Sequence, residues 1–324
     1  MNIIKTKRSV CVVTGVNGQD GSYLAEILLD KGFHVIGLGR QDASEWVAET
    51  SLYDYRKVDL SVGSSFSEVL EDVNPDFIFY AAAVHGASGF DYEKNWDNVY
   101  SVNVRGIVTA LQYLEKNREA SLTYISSSKV FDMGGKSTIS ETDHRLSNCL
   151  YSVSKNAATD IIHYYRDRYR LNCSVFWTFN HESPRRGEEY FIPKIVKILQ
   201  ESRKNNSYNA SIFSLDFYCD WGDAREYMNI IIDLSLTYGG EDFILGTGKN
   251  VLARQVVSEL FEKFGLDYKD HITEVNGFTS NIPLLPTANV SKLKHYMRKI
   301  PQKNVTHVFQ DILDNTNFAP KGKL

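Results

Sequence analysis

A tyrosine and a lysine four residues apart are the side chains of this chain whose types and spacing best suit proton transfer. Tyr151 and Lys155 lie in the segment Tyr-Ser-Val-Ser-Lys. On a helix they share one face about one turn apart, so the ammonium lowers the cost of ionising the phenol. Ser127, in a run of three serines, could share a hydrogen bond with the substrate oxygen that gains or loses the proton. In a chain with 19 tyrosines this spacing alone is weak, and other motifs must support it.

A glycine-rich turn near the amino end supplies that support. Gly15, Gly18 and Gly21 fall between a strand-like apolar run and a helical pattern. In this context glycines let the backbone approach a pyrophosphate at a helix amino terminus. A tight turn that merely packs a helix on a sheet is the alternative. Val58-Asp59-Leu60 follows a third strand candidate and also agrees with an adenine dinucleotide site. Together with the proton relay, the turn predicts nicotinamide-dependent redox chemistry.

The residues after the second predicted strand bear on the choice between NAD and NADP. A carboxylate there binds the ribose hydroxyls of NAD, whereas an arginine favours the 2′-phosphate of NADP. The chain offers Arg40, Gln41 and Asp42, so the pattern is mixed. We favour NAD, held tightly.

Composition excludes several other classes of function. The 324 residues are 43% hydrophobic, which is ample for a packed core, and the net charge of −4 comes without basic blocks that would indicate binding to nucleic acid or to a membrane surface. The four cysteines have no Cys-x-x-Cys spacing, so neither a disulfide framework nor a metal site is expected. The amino terminus lacks the apolar segment of a signal peptide. We expect a cytoplasmic protein with a small-molecule substrate.

The order of predicted elements indicates an α/β fold. Apolar runs near residues 9–14, 33–38, 76–82, 121–126 and 173–179 alternate with helical patterns, including long ones around 94–117 and 150–170. Such alternation predicts a doubly wound parallel sheet of the Rossmann type. We assign residues 1–180 to this domain, with elements of about 220–250 returning to it. A second, smaller mixed α/β substrate lobe is assigned to residues 181–219 and 251–324.

These motifs, in this order, resemble those of the extended short-chain dehydrogenase/reductases. The strings Gly-Gln-Asp-Gly-Ser-Tyr-Leu from Gly18, Asn-His-Glu-Ser-Pro-Arg-Arg-Gly from Asn180 and Asp-Trp-Gly-Asp-Ala-Arg from Asp220 resemble more closely the GDP-mannose 4,6-dehydratase family. The resemblance implies a two-lobed fold, a GDP-linked, manno-configured sugar as substrate, and assembly as a homodimer or homotetramer. Hexose and heptose substrates stay open.

The resemblance also implies roles for individual residues. Residues expected at the cofactor are Gly15, Asn17, Gly18, Gln19, Asp20, Gly21, Arg40, Asp59, Leu60, Ala81, Ala82, Tyr151, Lys155, Phe179, His181 and Arg186. Residues expected at the substrate are His85, Ser127, Ser128, Asn180, Glu188, Lys194 and Arg225. Those expected in catalysis are Tyr151, Lys155, Ser127 and Lys129.

Two positions of the catalytic segment depart from the family pattern. The family carries a threonine and, two residues later, a glutamate that moves the C5 proton while water leaves C6; here Ser127 and Lys129 occupy these positions. Serine can keep the hydroxyl role, but an ammonium has no lone pair with which to take a proton. We therefore expect an NAD(P)-dependent oxidoreductase that acts at C4 of a GDP-hexose or GDP-heptose without dehydration.

Two alternatives stay open. The first is a 4,6-dehydratase in which the base has moved to His85, Asp132 or Glu182. The second is a non-catalytic, dinucleotide-binding regulatory protein, against which the intact tyrosine–lysine pair argues. Two further departures, Cys219 in place of an arginine and Thr279 near the position of a second, predict altered contacts to the GDP moiety.

Overall fold

The computed structural model describes residues 9–87, 89–276, 282, 285–297 and 300–315. The strands within them are β1 (Val10–Thr14), β2 (His34–Gly39), β3 (Tyr53–Lys57), β4 (Phe77–Tyr80), β5 (Ser121–Ser127), β6 (Thr138–Ile139), β7 (Asn172–Thr178), β8 (Asn180–Glu182), β9 (Ala210–Ile212), β10 (Tyr218–Cys219), β11 (Trp221–Asp223), β12 (Phe243–Leu245), β13 (Val251–Leu252), β14 (Ile272–Glu274) and β15 (Thr287–Ala288).

The helices alternate with the strands along most of the chain. They are α1 (Gln19–Asp30), α2 (Gly63–Val73), α3 (Trp96–Tyr100), α4 (Gly106–Lys116), α5 (Leu150–Tyr169), α6 (Phe191–Lys204), α7 (Ala224–Thr237), α8 (Ala253–Glu262), α9 (Tyr268–His271), α10 (Ser291–Met297) and α11 (Val305–Asn315). A short 3₁₀ turn covers Ser128–Val130.

Seven of the described strands form one sheet in the order β12-β7-β5-β4-β1-β2-β3. Every pairing in it is parallel. The chain moves outward from β1 in both directions, and the apolar run Cys11-Val-Val is fully buried, as expected for a strand covered by helices on both faces. The predicted doubly wound α/β sheet is thereby confirmed.

Buried hydrophobic side chains form two clusters. The larger surrounds the seven-stranded sheet and includes α7 and β12. The smaller joins residues of α6, α8 and α11 with Trp221. Ala288, Val290 and Leu293 lie in the range assigned to the smaller lobe, yet they pack in the larger cluster, because the segment 287–297 returns against β12. The boundaries assigned to the two lobes therefore do not fully separate the two clusters.

A π-helical turn over Ser101–Arg105 connects α3 to α4. Its buried Asn103 donates from Nδ2 to Ser154 Oγ of α5 at 3.0 Å. The Oδ1 of the same amide accepts a hydrogen bond of 2.8 Å from the backbone N–H of Val84. One side chain thus ties the segment after β4 to the helix that carries Tyr151. Wide turns of this kind occur often at functional sites.

Candidate active site

A cavity of about 810 Å³ opens at the carboxyl ends of the central strands, where ligands bind in open α/β sheets. Most residues predicted for the cofactor, the substrate or catalysis line it: Gly15, Gly18, Gln19, Asp20, Gly21, Ala81, His85, Ser127, Lys129, Tyr151, Lys155, Phe179, Asn180, His181, Arg186 and Lys194. The structure therefore brings together residues that lie up to 179 positions apart in the sequence.

The glycine turn is shaped for close approach of the backbone. Gly15 has a φ of +71°, and a Cβ built on it would lie 2.9 Å from Cα of Ala82. A Cβ on Gly21 would collide with the carbonyl of Gly15. Gly18 is the N-cap of α1 and makes no side-chain capping bond, so the first N–H groups of the helix are left for an anion. This turn fits a dinucleotide pyrophosphate.

Asn17 has a structural role that the motif did not reveal. Its Nδ2 donates to the carbonyl of Ala43 at 2.9 Å, and its Oδ1 accepts from the backbone N–H of Glu45 at 3.0 Å. Trp46 Nε1 donates to the backbone carbonyl of Asn17 at 3.1 Å. Asn17 thus fastens the segment after β2 to the glycine turn and does not line the cavity.

The residues expected at the adenosine end of the cofactor lie just after β2 and β3. Arg40 and Asp59 are exposed there, and Leu60 is buried behind them. Hydrogen bonds from Ser61, and then the charge of Arg40, lower the pKa of Asp59. Arg40 therefore has a carboxylate neighbour at the position where a 2′-phosphate would have to bind.

Gln19, Asp20 and His181 connect the first helix to the segment after β7. His181 Nε2 lies 3.0 Å from Asp20 Oδ1, and Gln19 Nε2 donates to the backbone carbonyl of His181 at 3.2 Å. Burial opposes ionisation of both groups, but their mutual attraction prevails: the pKa of Asp20 falls to about 2 and that of His181 rises. The pair therefore favours the charged form of His181 in the cavity wall, and its Nδ1 lies 2.7 Å from the backbone carbonyl of Phe179.

Tyr151, Lys155 and Ser127 meet as their spacing predicts. Tyr151 is 7% exposed; burial raises the pKa of its phenol, while a hydrogen bond with Ser127 opposes that rise. Lys155 Nζ lies 5.9 Å from the centre of the Tyr151 ring. Burial lowers the pKa of Lys155 to about 7. Phenol, hydroxyl and amine therefore lie in one wall of the cavity, where they could together exchange a proton with a bound hydroxyl.

His85 stacks beside the catalytic phenol. Its ring centre lies 4.4 Å from that of Tyr151, and its Nδ1 lies 2.6 Å from the hydroxyl of Tyr92. Burial, followed by the charges of Lys129, Arg186 and Lys155, lowers the pKa of His85 to about 3. The imidazole is therefore neutral and a poor base. No motif in the sequence pointed to Tyr92, whose contact exists only in the fold.

Lys129 lies two residues after Ser127, at the end of the serine run. Its backbone N–H donates to Ser127 Oγ at 3.2 Å, and its exposed side chain lines the cavity. Ser128, between them, is buried and lines a neighbouring cavity instead. The cavity wall two residues after Ser127 thus carries a lysine, at the position where the family resemblance implies a glutamate.

Glu182 and Arg186 form a second charged pair in the cavity wall. Arg186 Nε lies 3.5 Å from Glu182 Oε2, and neither atom makes a hydrogen bond within the described part of the chain, although both are buried. The Arg186 guanidinium stacks on Tyr190 at 3.6 Å. Burial raises the pKa of Glu182. A bound group with both a donor and an acceptor would satisfy these two atoms.

Besides Asn17, Arg40, Asp59, Leu60, Ala82 and Ser128, three more candidates do not line the cavity. Arg225 pairs with Glu26 on α1 at 3.5 Å, and Glu188 pairs with Lys197; neither lines the cavity. Asp132, a candidate for a moved base, accepts from the backbone N–H of Gly134 at 2.9 Å and does not line the cavity either. The position at Thr279 lies outside the described residues.

Metal-ligand groups and membrane-spanning helices are both absent from the described ranges. No group of three or more His, Cys, Asp or Glu side chains there is arranged to hold a metal ion. None of the helices in that part of the chain combines the length and the apolar character needed to cross a membrane.

Known proteins are similar to this chain in sequence and in fold. GDP-mannose 4,6-dehydratase of Vibrio cholerae is 28% identical over 287 residues, which cover 82% of this chain and 77% of the relative. GDP-mannose 4,6 dehydratase 1 of Arabidopsis thaliana is also 28% identical, over 82% and 77% of the two chains. The structure of dTDP-glucose 4,6-dehydratase from Bacillus anthracis in complex with NAD superposes with a TM-score of 0.80 at 21% identity, covering 96% and 98%.

The family profile described as GDP-mannose 4,6 dehydratase matches residues 12–319. This range holds the glycine turn, the serine run, the tyrosine–lysine pair and the string from Asn180. It includes the smaller hydrophobic cluster and, apart from Cys11, the buried residues of the larger one. The chain is an NAD(P)-dependent sugar-nucleotide enzyme of the short-chain dehydrogenase/reductase type, and it belongs to the GDP-mannose 4,6-dehydratase family.

Proposed function

We propose that this enzyme oxidises the C4 hydroxyl of a GDP-linked, manno-configured sugar with NAD and does not eliminate water. The observation that carries the proposal is the ammonium of Lys129 two residues after Ser127, where elimination would need a base for the C5 proton. His85, whose ring lies 4.4 Å from that of Tyr151, has a pKa of about 3 and is too weak a base for that proton.

The proposed oxidation uses three residues of the cavity wall. Tyr151 takes the proton of the C4 hydroxyl, and Ser127 holds the same oxygen by a hydrogen bond. Lys155, with its pKa lowered to about 7 by burial, can pass the proton on near neutral pH. A bound nicotinamide would accept the hydride from C4, which balances the oxidation.

The cofactor is held by the glycine turn, His181 and Arg186. We favour NAD because Asp59 already lies close to Arg40 and would compete with a 2′-phosphate. Oxidation without elimination leaves the cofactor reduced, so each turnover requires exchange of a tightly held cofactor or a reductive second step. We expect a cytoplasmic homodimer or homotetramer.

Glu182 supports a second candidate, a 4,6-dehydratase with a moved base. Its Oε2 is buried, and among the described residues no donor satisfies it. Burial raises the pKa of Glu182, which makes its carboxylate a stronger base than an exposed one. Of the three groups considered for this role, Glu182 is the one that both lines the cavity and can act as a base.

Mass spectrometry of the products from GDP-mannose and from GDP-manno-heptose, with absorbance of the reduced nicotinamide, tests the proposal. Loss of two hydrogens together with reduced cofactor is expected. Loss of water would contradict the proposal and favour the dehydratase, and a Glu182→Gln variant would then be inactive. No product and no cofactor reduction with either sugar would favour a non-catalytic protein.

A further inference from the structure

Lys129 lies on the boundary between two cavities. A second cavity, of about 330 Å³, adjoins the first and shares with it Lys129, Phe179 and Asn180. Its wall is largely apolar and includes Met133, Tyr218 and Cys219. A sugar held at Ser127 and Tyr151 would therefore have a pocket beside it, with an ammonium at the entrance.

The ammonium of Lys129 has no carboxylate partner in the described part of the chain. Other lysines of the chain do: Lys136 pairs with Asp143 and Lys197 with Glu188. Asn180, on the same boundary, donates from Nδ2 to Cys219 Sγ at 3.0 Å, and a thiol is a weak acceptor. Two donors at the entrance of the second cavity thus lack a strong acceptor from the protein.

The diphosphate of the substrate cannot be that acceptor when C4 is the reacting carbon. In a pyranose ring the anomeric carbon, which bears the diphosphate, lies across the ring from C4. Groups close to Ser127 and Lys129 must then be those on the two neighbours of C4. C3 bears a hydroxyl, whereas C5 bears C6, and C6 is the carbon of a hexose that can be a carboxylate.

On the basis of the proposed C4 oxidation, we propose that the substrate is a GDP-linked uronic acid whose C6 carboxylate is bound by Lys129. The carboxylate accepts charge-assisted hydrogen bonds from the ammonium and from the Asn180 amide at the entrance of the second cavity. Such a substrate has no C6 hydroxyl that could leave as water. A base at position 129 would therefore have no elimination to assist, and a cation at this position binds the substrate instead.

Binding to a variant that cannot react tests this assignment. In a Tyr151→Phe background with NAD present, GDP-mannuronate should bind about 10- to 100-fold more tightly than GDP-mannose, as a charge-assisted contact implies. Lys129→Met removes the charge and keeps the length of the side chain, so it should abolish most of that preference. Lys129→Gln should retain a small part of it, and Lys136→Met, a lysine paired on the surface, should change neither affinity.

Equal affinities for the two sugars, tighter binding of GDP-mannose or GDP-manno-heptose, or an unchanged preference in Lys129→Met would overturn the assignment. Thermal unfolding checks the fold, and Lys129→Met should unfold with the parent because the side chain is exposed. The proposed oxidation is tested separately by cofactor reduction in the unmutated enzyme. Reduction with GDP-mannose but no preference for the uronic acid contradicts this inference alone, whereas loss of water contradicts the proposed function.

Discussion

The side-chain amine of Lys155 donates a hydrogen bond of 2.8 Å to the backbone carbonyl of Ile125 on β5. It also lies 4.7 Å from the centre of the Tyr124 ring, and the side chain is 3% exposed. A carbonyl and an aromatic face replace only part of the water that an ammonium loses on burial. Burial of the Lys155 ammonium therefore carries a cost in stability.

Lys155→Met should stabilise the cofactor-free protein by about 2 kcal/mol below pH 7. The pKa of Lys155 is lowered to about 7 by burial, so the unfolded chain binds more protons than the folded one between pH 7 and the ordinary lysine range near 10. The penalty is complete below pH 7 and fades as the pH rises. Urea unfolding from pH 6 to 10 measures it, with exposed Lys116→Met as the control; a pH-independent difference would contradict the burial argument.

Tyr151→Phe should lower the rate of cofactor reduction by about 10²- to 10⁴-fold, because the hydroxyl proton then has no acceptor. Affinity for NAD should stay within a few-fold. Steady-state kinetics and fluorescence titration of the cofactor measure these two quantities. Tyr100→Phe, at a tyrosine that is 44% exposed, is the matched control and should leave both unchanged. Full activity of Tyr151→Phe would remove Tyr151 from the mechanism.

Oxidation by the unmutated enzyme should become faster as the pH rises. Burial raises the pKa of Tyr151, so the proton acceptor forms more readily in alkaline solution. A profile of kcat/KM from pH 6 to 10 is expected to rise, and the reverse reduction should show the opposite trend. A flat profile in both directions would indicate that a step other than proton transfer limits the rate.

Lys129→Glu should introduce loss of water from GDP-mannose, at least as a minor product. A carboxylate then stands two residues after Ser127, within reach of the C5 proton once C4 is oxidised. Mass spectrometry of the products detects the loss of water. Lys129→Gln is the neutral control, because it removes the positive charge without adding a base. If Lys129→Glu forms the 4-keto sugar and no dehydrated product, the side chain at 129 does not decide whether elimination follows.

Gly15→Ala should weaken cofactor binding by at least about tenfold and lower the free energy of unfolding by more than about 1 kcal/mol. The new methyl would meet the backbone of Ala82 at 2.9 Å, so the turn must open. Gly32→Ala is the control, because Gly32 also has a positive φ, +83°, but no atom lies within 4 Å of the position that its methyl would take. Equal effects of the two changes on cofactor affinity would mean that φ, and not the close approach, is what matters.

The sequence predicted the sheet well because its signals are local. Apolar runs such as Cys11-Val-Val predict a strand from a few consecutive residues, and the glycines between β1 and α1 predict the turn in the same way. The meeting of Tyr151 with Lys155 follows from helical spacing in the same way. Ser127 could be placed with them because the carboxyl ends of parallel strands lie along one edge of the sheet.

The contacts that the sequence did not reveal depend on distant parts of the chain. Arg225 resembles a substrate ligand in its motif, yet it pairs with Glu26, which lies 199 positions earlier. The partnership of His85 with Tyr92 depends on how the loop after β4 folds. The second cavity forms where the segment at Leu285 meets Asn250 and Cys219. Such encounters are set by tertiary packing and leave no periodic trace in the sequence.

Because of the wide turn at Ser101–Arg105, the number of residues in this stretch matters as much as which side chains it carries. Each residue of a helix advances the direction of the next by about 100°. Removing one residue between Tyr100 and Gly106 would restore an ordinary helix, rotate α3 by that angle against α4 and turn the amide of Asn103 away from Ser154. A related protein that lacks one residue in this stretch should therefore hold α5, the helix that carries Tyr151, by a contact other than the one between Asn103 and Ser154.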